Sequence, residues 1–339
     1  MPRRRSADSS VPTMRDVASL AKVSPMTVSR VLQDHPTVSA ENRERVLAAV
    51  KELGYRRNDV ARVLSQGRRL GAVGLSVTSL ANPFYARLAL GIESVITQHG
   101  IRLMVTSSNE DPESEREAVR DFVSRQVDAI VVVPSGTNHS YLAADVPQHI
   151  PVTMVARPPS GVDADCVLVD DFGGAYEATR QMVLRGRTRV AFVGNPPSVY
   201  TGSERFRGYC AALESFGLPV RDSYVKRARD PSSAEQATVR LLALREPPDA
   251  IFCTTNRNTL GAYRAVHRAS ASVALAGFDD FELSDMLSVP TLIVDYDADE
   301  LGRRAAQLLL DRLRPGEHGY QGPMRRVVVP TTIAEYGFA

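Results

Sequence analysis

From Ala72 onward the chain alternates short apolar runs with stretches of helical periodicity, and it does so twice. The first set reads as a strand at Ala72 to Val77, a helix over 84–99, a strand at Leu103-Met104-Val105, a helix over 113–125 and a strand at Ala129 to Val133. After Asp170 come a helix through Leu184, a strand at Val190 to Val193, helices over 204–216 and 233–244, a strand at Ala250-Ile251-Phe252, a helix over 258–269 and a strand at Val273-Ala274-Leu275. Apolar runs this short, each separated by a helical period, predict parallel strands covered on both faces by helices. Two α/β lobes are expected. Open parallel sheets take ligands beyond the carboxyl ends of their strands, so two lobes facing one another make a cleft.

The first seventy residues are of a different kind. Thr13 is an N-cap ahead of Met14 to Ala21, where Val17, Leu20 and Ala21 share one helical face. Lys22-Val23 make a tight turn, Ser24 caps a second helix and Pro25 stands at its first position, where a missing N–H costs nothing. That helix runs through Met26-Thr27-Val28-Ser29-Arg30-Val31-Leu32, with Val28, Val31 and Leu32 facing inward. Met26, Thr27, Ser29 and Arg30 are left on its outer, N-terminal part, the part that enters a major groove in a helix-turn-helix. A third helix is capped by Ser39, carries Val46, Leu47, Val50 and Leu53 and stops at Gly54.

Here the chain closely resembles the lactose and galactose repressor family of bacterial transcription regulators. The marks are Asp16-Val17-Ala18, Val23-Ser24, Thr27-Val28-Ser29-Arg30-Val31, Val38-Ser39, Gly54-Tyr55 and Asn58 through Leu64. The resemblance continues to the C-terminal part of the chain. It implies an α/β fold with an N-terminal all-α helix-turn-helix domain and a two-lobed, periplasmic-binding-protein-like domain of parallel sheets. It also implies a ligand-responsive regulator, most often a repressor, that binds a pseudo-palindromic operator in double-stranded DNA as a homodimer, with a carbohydrate or related metabolite as effector.

The expected organisation is a basic, disordered tail over 1–12, the DNA-binding domain over 13–57, a hinge over 58–70 and the effector and dimerisation domain over 71–339. Within the last, lobe one spans about 71–168 and 298–320, and lobe two about 170–295 and 323–339, with crossings near Val169, near Asp295 to Asp297 and near Tyr320 to Pro323. In the family the hinge helix pairs with its copy and presses a leucine into the minor groove, which by position is Leu64 here, with Asn58 as cap and Ala61 small enough for close approach. A segment this short is marginal as an isolated helix and needs a partner to order it.

Charge agrees with this division. The whole chain is only +2, yet residues 1–70 hold 14 Lys and Arg against 7 Asp and Glu. The basic excess lies where phosphate would be met, which predicts salt-sensitive attraction to any DNA without sequence choice. Among the reading positions Pro25 donates nothing, Met26 suits a thymine methyl and Arg30 a guanine edge, while Thr27, Ser29 and Tyr55 are expected to hold phosphates, and Ser24, which caps the helix, is counted with them among the DNA-binding residues.

Cleft candidates come from the strand ends. In the first lobe these are Phe84 and Tyr85, Ser135 after Val133-Pro134, and Arg157 after Val155. In the second they are Thr201, Arg205, Phe252, Thr255, Asn256 and Asp279. Arg205 and Asp279 match positions that recurrently touch ligand in the family. Two departures bear on the ligand: Thr255-Asn256 stands where the family usually has Asn-Asp, and Ala156 precedes Arg157 where an Asp is common. Two acidic partners for sugar hydroxyls are thereby absent, which opens the way to an anionic or less hydroxylated ligand.

Other classes find little support. Gly71-Ala72-Val73-Gly74 lacks dinucleotide-loop spacing, no phosphate-loop motif occurs, and Gly202-Ser203-Glu204 is no nucleophile elbow. No enzyme activity, cofactor or metal site is expected. Cys166, Cys210 and Cys253 are widely spaced and read as reduced thiols. No run reaches the roughly eighteen apolar residues of a membrane span, and the basic start has no apolar signal core, so a cytoplasmic protein is expected. A transported-solute receptor is the alternative for the cleft alone. The absence of a leucine-heptad tail favours a dimer over a tetramer.

Overall fold

The computed structural model describes residues 12–32, 35, 37–55, 71–313 and 320–337. These fall into two compact units, divided near Arg68.

In the first unit, α1 (Met14–Ala21) opens on a capping box in which the Thr13 hydroxyl accepts from the Asp16 N–H and the Asp16 carboxylate accepts back from Thr13 N–H. It closes on Lys22 in the left-handed conformation, φ 53°. The short turn delivers Ser24, whose Oγ accepts from Thr27 N–H at 3.1 Å and starts α2 (Pro25–Leu32). Then α3 (Ala40–Leu53) runs from its Ser39 cap to Gly54 at φ 62°. Val17, Ala18, Ala21, Val28, Val31, Val46 and Ala49 make the core. Leu20 and Leu47, expected inside, are 42% and 51% exposed, because Ala18 and Ala49 already fill the narrow space between the helices. Arg45 donates to the carbonyls of Ala21 and Lys22 at 2.5 and 3.2 Å and so ties α3 to the end of α1.

The larger unit holds two sheets. The first contains β1 (Ala72–Val77), β2 (Arg102–Ser107), β3 (Ala129–Val132), β4 (Val152–Val155), β5 (Asp165–Val169) and β11 (Arg326–Val329) in the order β11-β5-β4-β3-β1-β2, all parallel. The second contains β6 (Val190–Gly194), β7 (Val225–Arg227), β8 (Ala250–Cys253), β9 (Ala274–Phe278), β10 (Thr291–Asp295) and β12 (Thr332–Tyr336) in the order β12-β10-β9-β8-β6-β7. Among the described strands only the β10–β12 pairing is antiparallel. The α/β class and the two lobes of parallel sheet are as expected from the alternation of apolar runs.

Helices α4 (Pro83–Ile96), α5 (Pro112–Ser124), α6 (Tyr141–Asp145) and α11 (Ala298–Leu313) cover the first sheet. The second is covered by α7 (Asp171–Leu184), α8 (Tyr200–Ser215), α9 (Pro231–Leu242) and α10 (Asn256–Arg268). Where α4 meets α11 the backbones nearly touch: a Cβ on Gly91 would fall on the Asp299 carbonyl, and one on Gly302 on the Leu88 carbonyl. Arg87 clamps the same crossing by donating to both carboxylate oxygens of Asp299 at 2.7–3.1 Å.

The chain passes between the lobes after Val169 and at Tyr296-Asp297. The third passage is not at Tyr320 to Pro323. Val327 to Val329 add a parallel strand beside β5, and only after Pro330-Thr331 does β12 pair with β10. Residues 323–329 therefore belong to the first lobe, held there because an apolar strand completes the sheet edge. The strands β5, β7, β10, β11 and β12 and the short helix α6 stand outside the alternation of apolar runs and helical periods.

Candidate functional site: an interlobe cleft and a capped helix

The carboxyl ends of the two sheets face one another across a cavity of about 270 Å³. Its first-lobe wall is built by the N-terminal turn of α4. Asn82 caps that helix, accepting from Phe84 N–H at 3.1 Å, and so presents Phe84 and Tyr85 to the cleft. Phe84 meets Tyr85 and Tyr296 edge to face, with ring centres 4.9 and 6.0 Å apart. The Tyr85 hydroxyl shares a 2.5 Å hydrogen bond with Thr78 and is pushed up in pKa by burial.

Arg157 follows β4. It is 6% exposed, donates to both oxygens of Glu110 at 2.7 and 2.5 Å, and donates a further hydrogen bond to the Pro134 carbonyl at 2.6 Å. Burial opposes its charge, and the Glu110 carboxylate outweighs that, leaving its pKa raised. The fork is thus occupied by protein oxygens.

The second-lobe wall centres on Arg205, on the second turn of α8. Its Nε donates to Asp171 at 2.7 Å, one amino group donates to the Thr254 carbonyl, and the other lies 3.6 Å from Asp279. The guanidinium lies 3.5 Å over the Phe278 ring. Burial pushes the Asp171 carboxyl up to about 6, with Arg205 pulling the other way. Asp279 accepts from the Tyr296 hydroxyl at 2.8 Å, and that phenol is raised well above its ordinary range by burial and by Asp279. Asp171 lines the cleft at 3% exposure, and its Oδ2 is without a hydrogen-bond partner among the described residues.

Backbone strain collects here too. Among the described residues seven other than glycine have positive φ; Asn109, Glu110, Ala156 and Asp279, at φ 52°, 63°, 64° and 69°, all line the cleft. Such conformations persist where the surroundings over-determine them, as ligand sites do.

The candidates divide clearly. Phe84, Tyr85, Arg157, Thr201, Arg205, Thr255 and Asp279 all line the cavity. Thr255 caps α10, accepting from Asn258 N–H at 3.1 Å. Asn256 bridges the lobes by donating to Asn82 Oδ1 at 3.2 Å. Two candidates are corrected. Phe252 is fully buried, with Phe192 and Tyr209 at 5.9 and 6.5 Å, because β8 is a central strand and this side chain faces the helices. Ser135 is 1% exposed; its N–H donates to Glu115 at 2.5 Å and its hydroxyl bonds Ser108 at 2.8 Å, behind the cleft wall.

Missed in the sequence were Asn82, Glu110, Asp171, Tyr296, Arg229 and Arg257. Asn82 was marked by Asn-Pro at a helix start, and Asp171 by its place just past an apolar strand. Arg229 and Arg257 carried no signal beyond their charge.

In the smaller unit, the first turn of α2 presents Pro25 and Met26 to solvent, with Met26 64% exposed, and Arg30 is exposed further along. Thr27 and Ser29 are half-buried, and Ser24 is exposed with its hydroxyl 2.9 Å from that of Thr27. Tyr55 packs, partly buried, against the three-helix core. Asn58, Ala61 and Leu64, the hinge candidates, lie outside the described residues.

Residues 13–58 match the model of bacterial regulatory proteins of the lacI family, and residues 70–328 match that of periplasmic binding proteins and the sugar-binding domain of the LacI family. This chain belongs to the LacI family. It is 31% identical to catabolite control protein A of Priestia megaterium, over 88% of this chain and 91% of that protein. The HTH-type transcriptional regulator GalR of Salmonella typhimurium is 30% identical over 88% of each chain. Among solved structures, that of the transcriptional regulator CelR in complex with cellobiose superposes with a TM-score of 0.71 at 27% identity, covering 96% of this chain and 100% of the other. The LacI-family helix-turn-helix and the two-lobed binding domain are thus both present, in a family of DNA-binding transcription repressors.

Proposed function

We propose that this LacI-family chain is a homodimeric, ligand-responsive transcription repressor of the cytoplasm that reads a pseudo-palindromic operator with α2 and takes a small hydroxylated metabolite in the interlobe cleft. The observation that carries the reading is the presence, in one chain, of a helix-turn-helix that exposes Pro25, Met26 and Arg30 on its second helix and a cleft whose floor is a buried Arg205–Asp171–Asp279 cluster. Two copies of α2 would sit in successive major grooves, Arg30 facing a base edge and Ser24, Thr27 and Ser29 near phosphates. The hinge, with Leu64 as wedge, would open the minor groove between them.

The cavity of about 270 Å³ lies just under the 300–1,000 Å³ of drug-sized pockets, which supports an occupant of monosaccharide size. A ligand acts on DNA affinity only through its different affinity for the two arrangements of the protein. A solute receptor would have the cleft and no use for residues 13–55.

The test is selection of bound duplexes from a random library by purified full-length protein at fixed ionic strength. Recovery of an inverted repeat supports the reading. Background binding that only follows salt, with no enriched sequence in the absence or presence of cleft ligands, contradicts it.

A further inference from the structure

Most of the charge around the cleft is neutralised within the protein. Arg157 is held by Glu110, and Arg205 by Asp171 and Asp279. Two cations are not. Arg229 and Arg257 both line the cavity from the second lobe, and among the described residues neither guanidinium has an ion pair within 4.0 Å or a side-chain hydrogen bond; Asp230 acts on Arg257 only at longer range.

Their placement is set by two helix starts. Arg229 immediately precedes Asp230, the N-cap of α9, and Arg257 is the second residue of α10 after its cap Thr255. The start of α8, which contributes Thr201, has no side-chain cap at Val199. The amino ends of α8 and α10, helices of sixteen and thirteen residues, thus face the cleft through Thr201 and Arg257, whereas that of α9 is closed by Asp230, which accepts from Ser233 N–H at 2.9 Å. On the cavity floor, Oδ2 of Asp171, in a side chain 3% exposed, has no hydrogen-bond partner among the described residues and can accept from a ligand hydroxyl.

From this we infer that the effector is a hydroxylated metabolite carrying an oxyanion, a phosphate monoester or a carboxylate. Its anionic group lies between Arg229 and Arg257, and a hydroxyl donates toward Asp171. The charge balance explains why a neutral ligand is disfavoured: it would leave two cavity-lining cations, Arg229 exposed and Arg257 half-buried, without a counter-charge. Arg229 and Arg257 are then the specificity-determining residues of the cleft. The inference rests on the cleft being the effector site.

The experiment is calorimetric titration of the full-length protein with matched sets of neutral sugars, their phosphate monoesters and their uronic or aldonic acids, with inorganic phosphate as the minimal probe. The same ligands are run on Arg229→Ala/Arg257→Ala, on the double Lys variant and on Asp279→Asn. The expected result is that one anionic series binds at least about tenfold more tightly than its neutral parents, that the double Ala variant closes this gap and that the Lys variant restores part of it. Which series does so separates phosphate from carboxylate.

Neutral parents binding as tightly as their anions, a gap that survives in the double Ala variant, or no anion binding at millimolar concentration would each overturn the inference. The cleft reading fails separately, if a ligand binds with an affinity that Asp279→Asn leaves unchanged.

Discussion

Asn256 at the start of α10 donates to Asn82 Oδ1 at 3.2 Å, so the residue that caps a helix of the first lobe is also held by the second. This bond exists only while the lobes are as close as they are here. Replacing Asn256 by Ala should therefore weaken ligand binding by about three- to tenfold, the equivalent of roughly 1 kcal/mol, while barely moving the melting temperature of the free protein. Calorimetric titration beside a thermal melt reads both numbers, and equal affinities in the two proteins would count against the bond's role.

Arg205 stabilises two buried carboxylates at once. Arg205→Ala leaves Asp171 and Asp279 without their cation and should cost about 3–5 kcal/mol in urea unfolding, beyond any loss of ligand affinity. Arg205→Lys should recover only part of it, because an ammonium cannot span the Asp171 carboxylate, the Thr254 carbonyl and the Phe278 ring together. Full recovery with Lys would show that charge alone suffices.

The sign of a pH effect follows from Asp171. With its pKa raised to about 6 from 3.8, the folded protein keeps this proton between about pH 4 and 6, where the unfolded chain has released it. Its contribution to stability is present at low pH, falls as pH rises through that window and is level above it. Melting curves of the wild type minus those of Asp171→Asn should show a difference that declines from pH 4 to about 6.5 and then stays flat. A difference that grows with pH would mean that the Arg205 pair dominates burial.

In the smaller unit, removing the Ser24 hydroxyl frees the Thr27 N–H and should cost about 1 kcal/mol of that unit's stability. Arg30→Ala touches no core residue. It should instead cost about 1–3 kcal/mol on a selected duplex and relax the preference at one position of each half-site. A loss of the same size on every sequence would assign Arg30 to a phosphate.

How much of this was legible in the sequence depended on range. Elements fixed by local rules were readable: the Thr13, Ser24 and Ser39 caps, the Gly54 stop and the apolar runs of β1, β3, β6 and β8. β5 was not, because it opens on Asp165, a charge made tolerable only by Arg312 and Arg325, far away in sequence. Strand-end residues such as Asp279 were found, since position just past an apolar run places them at the cleft. Phe252 misled by the same rule: one residue short of its strand's end, it faces the helices. The Arg229 and Arg257 pair was invisible because two separate helix starts converge only in the folded chain.

The central claim is that one molecule couples its cleft to DNA. The most direct measurement is the affinity of the full-length protein for a selected duplex, at one salt concentration, with and without a saturating cleft ligand, and in Asp279→Asn as well. The account predicts a shift of about fivefold or more, matched by the same factor in ligand affinity when DNA is bound, and lost when Asp279→Asn abolishes ligand binding. Identical duplex affinity with the cleft demonstrably filled would contradict it.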